Sequence, residues 1–290
     1  MRLAVLADIH GNLPALEAVL EDGRQYGVAG FIVAGDLTGG PQPLETLHLL
    51  RSLGTGTWII QGNSDINLLR YATNNVPESW HNSLQYALLR WGHQHVDKEA
   101  LAFIRALPEQ AVVSIKETDP IRVVHGSPRD PYEGINPNAD PDLLDRALAE
   151  TDEPVLVCGH DHIPWQRKRD RRLALNPGAV CGPLNGDTRA QYAWLTWQDA
   201  GWQVKHRAVP YDLGRIRTAF QNSGLLEQGG ALAKAFLLSI ETGQNVGLDL
   251  LSYAYRLMAN VGVKECEVIP DEVWEQAVAT FDWDAAVNLR

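Results

Sequence analysis

Five short stretches of this 290-residue sequence gather side chains of one chemical kind. They read Asp8-Ile9-His10-Gly11-Asn12, Gly35-Asp36, Gly62-Asn63-Ser64-Asp65, His125-Gly126-Ser127 and Gly159-His160-Asp161-His162. The candidate ligands in them are two aspartates, one asparagine and four histidines: Asp8, Asp36, Asn63, His10, His125, His160 and His162. Imidazole nitrogen mixed with carboxylate and amide oxygen suits Mn, Fe, Zn, Co or Ni, and the lack of thiolate argues against a structural zinc cage. Seven ligands are too many for one ion but fit two, with one carboxylate bridging. Glycines beside the ligands allow sharp turns and leave room for a bound group.

Each stretch follows a short apolar run that reads as a strand. Leu3–Ala7 is followed by an amphipathic helix over Leu13–Tyr26, with Pro14 in its first turn. Phe31–Ala34, a helix at Pro43–Leu53 and Trp58–Ile60 continue the alternation, which predicts βαβ units and a largely parallel sheet. In open α/β sheets the carboxyl ends of adjacent strands converge on one crevice, so ligands distant in sequence are expected to meet there. Residues 64–107 read as a helical insertion packed on the sheet. Strands resume at Ala111–Ile115, Ile121–Val124 and Val155–Cys158, with a helix at Pro141–Glu150. After His162 the pattern turns to β, at Trp165–Lys168, Leu173–Leu175, Tyr192–Thr196 and Trp202–Val209. This predicts a second, mostly antiparallel sheet, packed by Trp194, Trp197 and Trp202. From Tyr211 onward the chain reads as helical, and Leu248, Leu251, Tyr255 and Met258 form a stripe that needs burying. The boundary is placed near Pro210, giving a domain over residues 1–210 and a helical extension over 211–290.

Composition narrows the field further. With 25 Lys+Arg against 36 Asp+Glu the net charge is −11, which argues against bulk nucleic-acid binding. A metal can still reverse the local field for a small phosphate-bearing substrate. Three cysteines, Cys158, Cys181 and Cys266, form no C-x-x-C and fit a reducing compartment. With no secretory leader and no apolar run of ~18–20 residues, the expectation is a cytoplasmic protein without membrane association.

In order and spacing, Asp8-x-His10, Gly35-Asp36, Gly62-Asn63, His125-Gly126 and Gly159-His160-x-His162 resemble the calcineurin-like metallophosphoesterase superfamily. The similarity extends to its small bacterial phosphodiesterases through Asp8–Asn12, Gly159–Pro164 and Asn176-Pro177-Gly178, and it covers about residues 1–211. The resemblance implies an α/β/β/α fold, a two-sheet sandwich flanked by helices, here with a C-terminal helical appendage. It implies one metal held by Asp8, His10, Asp36 and His162, and a second held by Asp36, Asn63, His125 and His160. Asp36 is then the bridge, manganese the first expectation, and Asp36, Asn63 and His125 the catalytic centre of a phosphodiesterase acting through a metal-bridging hydroxide. Asn12, at a helix start, and Arg129 are candidate substrate contacts.

Two positions depart from the family pattern. Many members have a histidine after the metal-binding asparagine, where this chain has Ser64. A hydroxyl is a poor general acid, so phosphodiesters with acidic alcohols or nucleotide anhydrides are favoured, the alternative proton donors being Asp161 or a metal-bound water. Ala179 stands where a serine often follows Asn-Pro-Gly. The competing functions are a phosphomonoesterase or protein phosphatase at the same site, and a protein-binding scaffold of the same fold, as in the retromer subunit. The complete ligand set favours an enzyme. The C-terminal helices are candidates for homo-oligomer contacts or for covering the cleft. Packing or surface roles are expected for His48, His81, His93, His95, His206, Cys158 and Trp165, and a solvated hairpin turn for Arg167–Arg172.

Overall fold

Alternation along the first sixty residues produces β1 (Arg2–Leu6), α1 (Leu13–Gln25), β2 (Gly30–Ala34), α2 (Pro43–Ser52) and β3 (Thr57–Ile60) in a computed structural model that describes residues 1–260 and 268–288. The three strands pair in parallel, Val5 with Ile32 and Val33 with Ile59. Period-two alternation sorts their side chains. Ala4, Leu6 and Val33 meet Leu16, Val19 and Leu20 of α1 and Leu47 and Leu50 of α2. Leu3, Val5, Ile32 and Ile60 face the opposite way, into a second sheet. Each such fully buried aliphatic side chain contributes about 1.5–3 kcal/mol.

The second sheet contains β4 (Ala111–Val113), β5 (Ile121–Val123), β6 (Val155–Val157), β7 (Trp165–Arg169) and β8 (Arg172–Asn176), in the order β4-β5-β6-β8-β7. Val123, Val157 and Leu175 supply its half of the core between the sheets. Its outer face is covered by α7 (Pro141–Ala149), through Leu144, Ala147 and Leu148 on Val124, Leu156 and Ala174. The result is the expected helix–sheet–sheet–helix layering.

The strands after His162 are distributed differently from the expectation. They do not form a sheet of their own. The β7–β8 hairpin extends β4–β6, while β9 (Ala190–Gln198) and β10 (Gly201–Val209) return to the first sheet, with β9 antiparallel to β1. The reason is that β1 is central and its side chains are buried on both faces, so its second edge requires a hydrogen-bonding partner. Trp197 and Trp202 accordingly reach the inter-sheet core, and Trp194 packs on the helix side of the first sheet.

The insertion is α3 (Asn63–Ala72), α4 (Ser79–Asn82), α5 (Ala87–Gln94) and α6 (Lys98–Ala106). Beyond β10 every described element is helical: α8 (Leu213–Asn222), α9 (Leu225–Gln228), α10 (Gly230–Thr242), α11 (Val246–Asn260), α12 (Asp271–Thr280) and α13 (Trp283–Asn288). These helices pack on the insertion, where Trp91 of α5 joins Ile216, Phe220, Leu225 and Ile240, and its indole N–H donates to the Ser223 carbonyl. On α11 the buried residues are Val246, Leu250, Ala254 and Met258; of the predicted stripe Met258 is buried, Leu251 and Tyr255 are partly buried against the same cluster, and Leu248 is exposed. No described helix is long and apolar enough to cross a membrane. Cys158 and Cys181 are free and buried, and Cys266 lies outside the described residues.

Candidate metal centre

A strand delivers side chains alternately to its two faces, so grouping ligands at strand ends requires the backbone to break that alternation. It does so here with left-handed residues. Asp8 (φ 55°), His10 (φ 44°), Asp36 (φ 55°), His160 (φ 72°) and His162 (φ 57°) all occupy the region that L-residues avoid. Each costs about 1–2 kcal/mol and persists because the surrounding contacts over-determine it. The amides of Ile9 and His10 both donate to the Asp36 carbonyl, and the His160 amide donates to the Asp8 carboxylate at 3.1 Å. Two glycines are required by space. A Cβ on Gly35 would lie 2.7 Å from His125 Nδ1, and one on Gly62 would lie 2.1 Å from Asp36 Oδ1.

All seven candidate ligands converge at the carboxyl ends of β1, β2, β3, β5 and β6. Asp36 lies between two imidazoles, with Oδ2 3.5 Å from His10 Nε2 and Oδ1 3.4 Å from His125 Nε2. His162 Nε2 is 3.7 Å from Asp8 Oδ1 and 3.2 Å from His10 Nε2. Asn63 Oδ1 completes the other side, 2.9 Å from His125 Nε2 and 2.7 Å from His160 Nδ1. Asp8 is within reach of both sides, grouping with His10 and His162 and also with Asp36 and His125.

The donor set fits divalent cations. His10 Nδ1 and His162 Nδ1 face the carbonyls of Thr38 and Gly182, at 3.1 and 2.8 Å, so each donates its ring proton there. Their Nε2 lone pairs are then left facing one another across 3.2 Å, an arrangement that a shared cation resolves. Ligand atoms about 2.1 Å from a metal are separated from each other by about 3.0–3.4 Å, close to the spacings found. Electrostatics agree. Burial pushes Asp8 up to about 7, with Asp36 adding to the effect and His125 opposing it. Burial would also raise Asp36, but His125 and His10 outweigh it and hold that carboxyl well below the usual range. Burial would lower His125, yet Asp36 drives it up to about 10, with Asp8 and the Ala34 carbonyl adding to the effect. His10 and His162 are lowered by burial, and His160 falls to about 4 through burial and the neighbouring His125. Metal binding to such a set displaces protons.

Two residues singled out for substrate have protein partners of their own. Asn12 is fully buried as the N-cap of α1. Its Oδ1 accepts from the Ala15 amide, and its Nδ2 donates to the Tyr211 hydroxyl at 3.2 Å. Its amide thus has protein partners on both its oxygen and its nitrogen. Arg129 is exposed and paired with Glu133 at 2.8 Å and Glu150 at 3.5 Å. The loop that follows Arg129 does pass over the cluster, since Gly134 lies against Asp161 and His160, and the Tyr132 hydroxyl donates to Asn67 Oδ1 at 2.6 Å. Ser64 donates its amide to Asp36 Oδ1 at 2.9 Å. Burial raises Asp161 to about 6.

His95 stacks on Trp91, His81 and His93 contact Tyr71, and His206 faces the Asn176 carbonyl. Trp165 and Cys158 belong to the core beneath α7. The basic run forms the β7–β8 hairpin, with Arg169 paired to Asp145.

Sequence reading missed one positioning residue. Asp65 is fully buried and accepts from the amides of Gly62, Leu37 and Thr38 and from the Thr38 hydroxyl, tying the Asp36 loop to the Asn63 loop. The available signal was an acidic residue three places after Gly62, the N3 position of a helix start. It also missed an apolar wall over the cluster. His10, His160 and His162 open into a cavity of about 380 Å³ whose far side is built by Leu232 and Phe236 of α10 and Leu251 of α11.

Comparison with known proteins finds similarity over most of the chain. The calcineurin-like phosphoesterase superfamily domain matches residues 1–200. Phosphodiesterase YfcE of Escherichia coli K12 is 28% identical over 204 residues, 67% of this chain and 87% of that protein. An uncharacterized protein of Methanocaldococcus jannaschii, MJ0912, is 28% identical over 227 residues, covering 73% of this chain and 88% of that one. Among solved structures, a metallophosphoesterase from Sphaerobacter thermophilus superposes with a TM-score of 0.69 at 27% identity, covering 84% of this chain and 99% of that one.

Proposed function

The chain belongs to the calcineurin-like phosphoesterase superfamily, and from that premise we propose that it is a dinuclear, metal-dependent phosphodiesterase acting on small phosphate esters. The observation that carries this reading is the split of Asp36 between His10 and His125, with a complete donor set on each side. A protein kept only as a scaffold has no reason to retain all seven donors, five of them on strained backbone. Asp8, His10, Asp36 and His162 would hold one cation, and Asp36, Asn63, His125 and His160 the other, with manganese the first ion to try. Bound divalent cations supply Lewis acidity toward phosphoryl oxygens and make nearby water more acidic.

The remaining work falls to the chain. The Ala34, Thr38 and Gly182 carbonyls fix the tautomers of His125, His10 and His162, so each presents Nε2 inward without reorganisation. The Asn63 amide is oriented through its Oδ1 between two imidazoles, leaving its N–H donors for a phosphoryl oxygen. At Ser64 the chain offers a hydroxyl engaged with the Thr38 carbonyl at 3.3 Å rather than an imidazole. This selects esters whose alcohols leave without strong protonation, and it favours diesters with acidic alcohols over alkyl monoesters. Residues 1–210 carry this chemistry, and residues 211–290 shape access to it.

The test is hydrolysis of bis(p-nitrophenyl) phosphate beside p-nitrophenyl phosphate, using metal-stripped protein with each divalent ion restored and Asp36→Asn as control. Metal-dependent cleavage of the diester, faster than the monoester and absent in the control, is expected. Preferential monoester cleavage would replace the reading with a phosphomonoesterase. Inactivity toward both esters, with no metal bound, would remove the enzyme.

A further inference from the structure

Leu88, Leu184, Leu232, Phe236 and Leu251 come from α5, the loop after β8, α10 and α11, yet all converge on one cavity. None is fully buried, although large apolar clusters lie immediately behind them. Their uncovered faces look across about 380 Å³ at His10, His160 and His162. Phe236 stands edge-on to His10, with ring centroids 5.6 Å apart. No lysine or arginine is among the described residues lining this space. A chain of phosphates has nothing here to neutralise it beyond the metal centre, whereas an uncharged organic group has a wall to bury against.

A second, smaller compartment of about 180 Å³ shares Gly39, Ser64 and Leu88 with the first and lies on the Asn63 side of the cluster. It is lined in part by Trp80, which is 6% exposed and stacked on Tyr86. The buried Trp80 indole N–H has no hydrogen-bond partner among the described residues. A buried donor left unpaired is costly unless a bound group satisfies it.

From these two compartments meeting at Ser64 we infer that the substrate is a phosphodiester with one phosphate and two unlike ester groups. The larger group is apolar or aromatic and packs on Phe236, Leu232 and Leu251. The smaller one carries a hydrogen-bond acceptor and reaches Trp80. The C-terminal helices thereby become the specificity element of the enzyme. The inference rests on the phosphoesterase reading above and deepens it.

The test uses equilibrium binding, so that it does not depend on turnover. The manganese-loaded full chain is titrated calorimetrically with inorganic phosphate, methylphosphonate monomethyl ester and benzylphosphonate monomethyl ester. The benzyl compound is expected to bind about tenfold tighter than the methyl one, from burial of its ring. Phe236→Ala and Leu251→Ala should each remove most of that preference while leaving phosphate affinity within twofold. Phe236→Leu should restore part of it, and thermal melts confirm that the variants fold. Trp80→Phe should weaken an ethyl glycolate ester of benzylphosphonate, which carries an acceptor, but leave the monomethyl ester unchanged. Equal binding of benzyl and methyl compounds, with phosphate displacing both, would overturn the inference and leave the phosphoesterase reading standing. Failure of phosphate itself to bind the metal-loaded protein would overturn both.

Discussion

The strand-end cluster and the wall that faces it are built on opposite terms. The cluster is polar, mostly buried, held in five left-handed backbone positions and interlocked by hydrogen bonds between loops. The wall is apolar, partly buried and carried on ordinary helices, with no strained residue at Phe236, Leu232 or Leu251. Chemistry needs donors fixed to fractions of an ångström, and that precision is supplied by backbone that has no freedom left. Selectivity for an organic group needs only area and shape, which helix faces provide with side chains free to be exchanged. The first region should tolerate almost no change. The second should tolerate many, each altering preference rather than rate.

The largest expected effect sharpens that contrast most. Asp36→Asn keeps the shape but removes the charge shared between His10 and His125. Activity should fall at least about 10³-fold, because developing phosphoryl charge loses its fixed counter-field. Bound metal, measured by atomic absorption, should drop from two equivalents toward one or none. Activity retained with two metals bound would mean that Asp36 is not what joins the two halves.

Next in size is Asp65→Asn, which touches no ligand atom. Its carboxylate receives four donors from the loops that carry Asp36 and Asn63, and an amide oxygen cannot replace both carboxylate oxygens. Groups that orient ligands are typically worth about 10–100-fold in metal affinity or activity. The expected result is weaker metal binding by titration, with rate recovered at high metal concentration. A lower melting temperature with unchanged metal affinity would make Asp65 a stabilising residue only.

These two regions were unequally legible in sequence, for the same physical reason. Asp8, His10, Asp36, Asn63, His125, His160 and His162 each follow an apolar run, and the sheet brings such ends together, so adjacency along the chain becomes adjacency in space. Asp65 was visible only as a helix-start acid. The partner of β9 was not visible, because alternation reports which face a residue takes and says nothing about which strand lies beside it. Asn12 matched an anion-binding position, yet its Oδ1 caps α1 and its Nδ2 meets Tyr211, a partner distant in sequence. On α11, Leu250 and Leu251 are indistinguishable by type. One is buried among the C-terminal helices and the other lines the cavity, a difference of one helical position that periodicity alone does not assign.

A smaller effect probes the wall kinetically. Phe236→Ala should raise KM for an aryl diester about tenfold, the cost of losing roughly one ring contact, with kcat within about twofold. A methyl diester should show neither change. A fall in kcat for both substrates would mean that Phe236 orients His10 through their edge-on contact, and the division between rigid chemistry and adaptable selectivity would fail at that point.

The smallest effect tests whether either region is coupled to general stability. Asp22 of α1 accepts both guanidinium arms of Arg207 on β10, at 2.6 and 2.7 Å, and also the Tyr192 hydroxyl of β9, fastening the returning hairpin to the helix layer. Partial burial would raise the Asp22 carboxyl, but Arg207 and Tyr192 outweigh it and hold it below its ordinary value. A carboxyl depressed by folding contributes stability above its unfolded pKa of about 3.9, and the contribution is lost as pH falls through the lower folded value. Asp22→Asn should therefore cost about 1–2 kcal/mol near neutrality. The gap between the two proteins should narrow in urea melts as pH falls below about 4. Metal affinity and the aryl preference should both stay unchanged, since Asp22 contacts neither the strand ends nor α10. If either moved with stability, the strained backbone at Asp8 and Asp36 would be held by the whole sheet rather than by its own interlocking loops, and the cluster would owe its rigidity to the hairpin that closes β1.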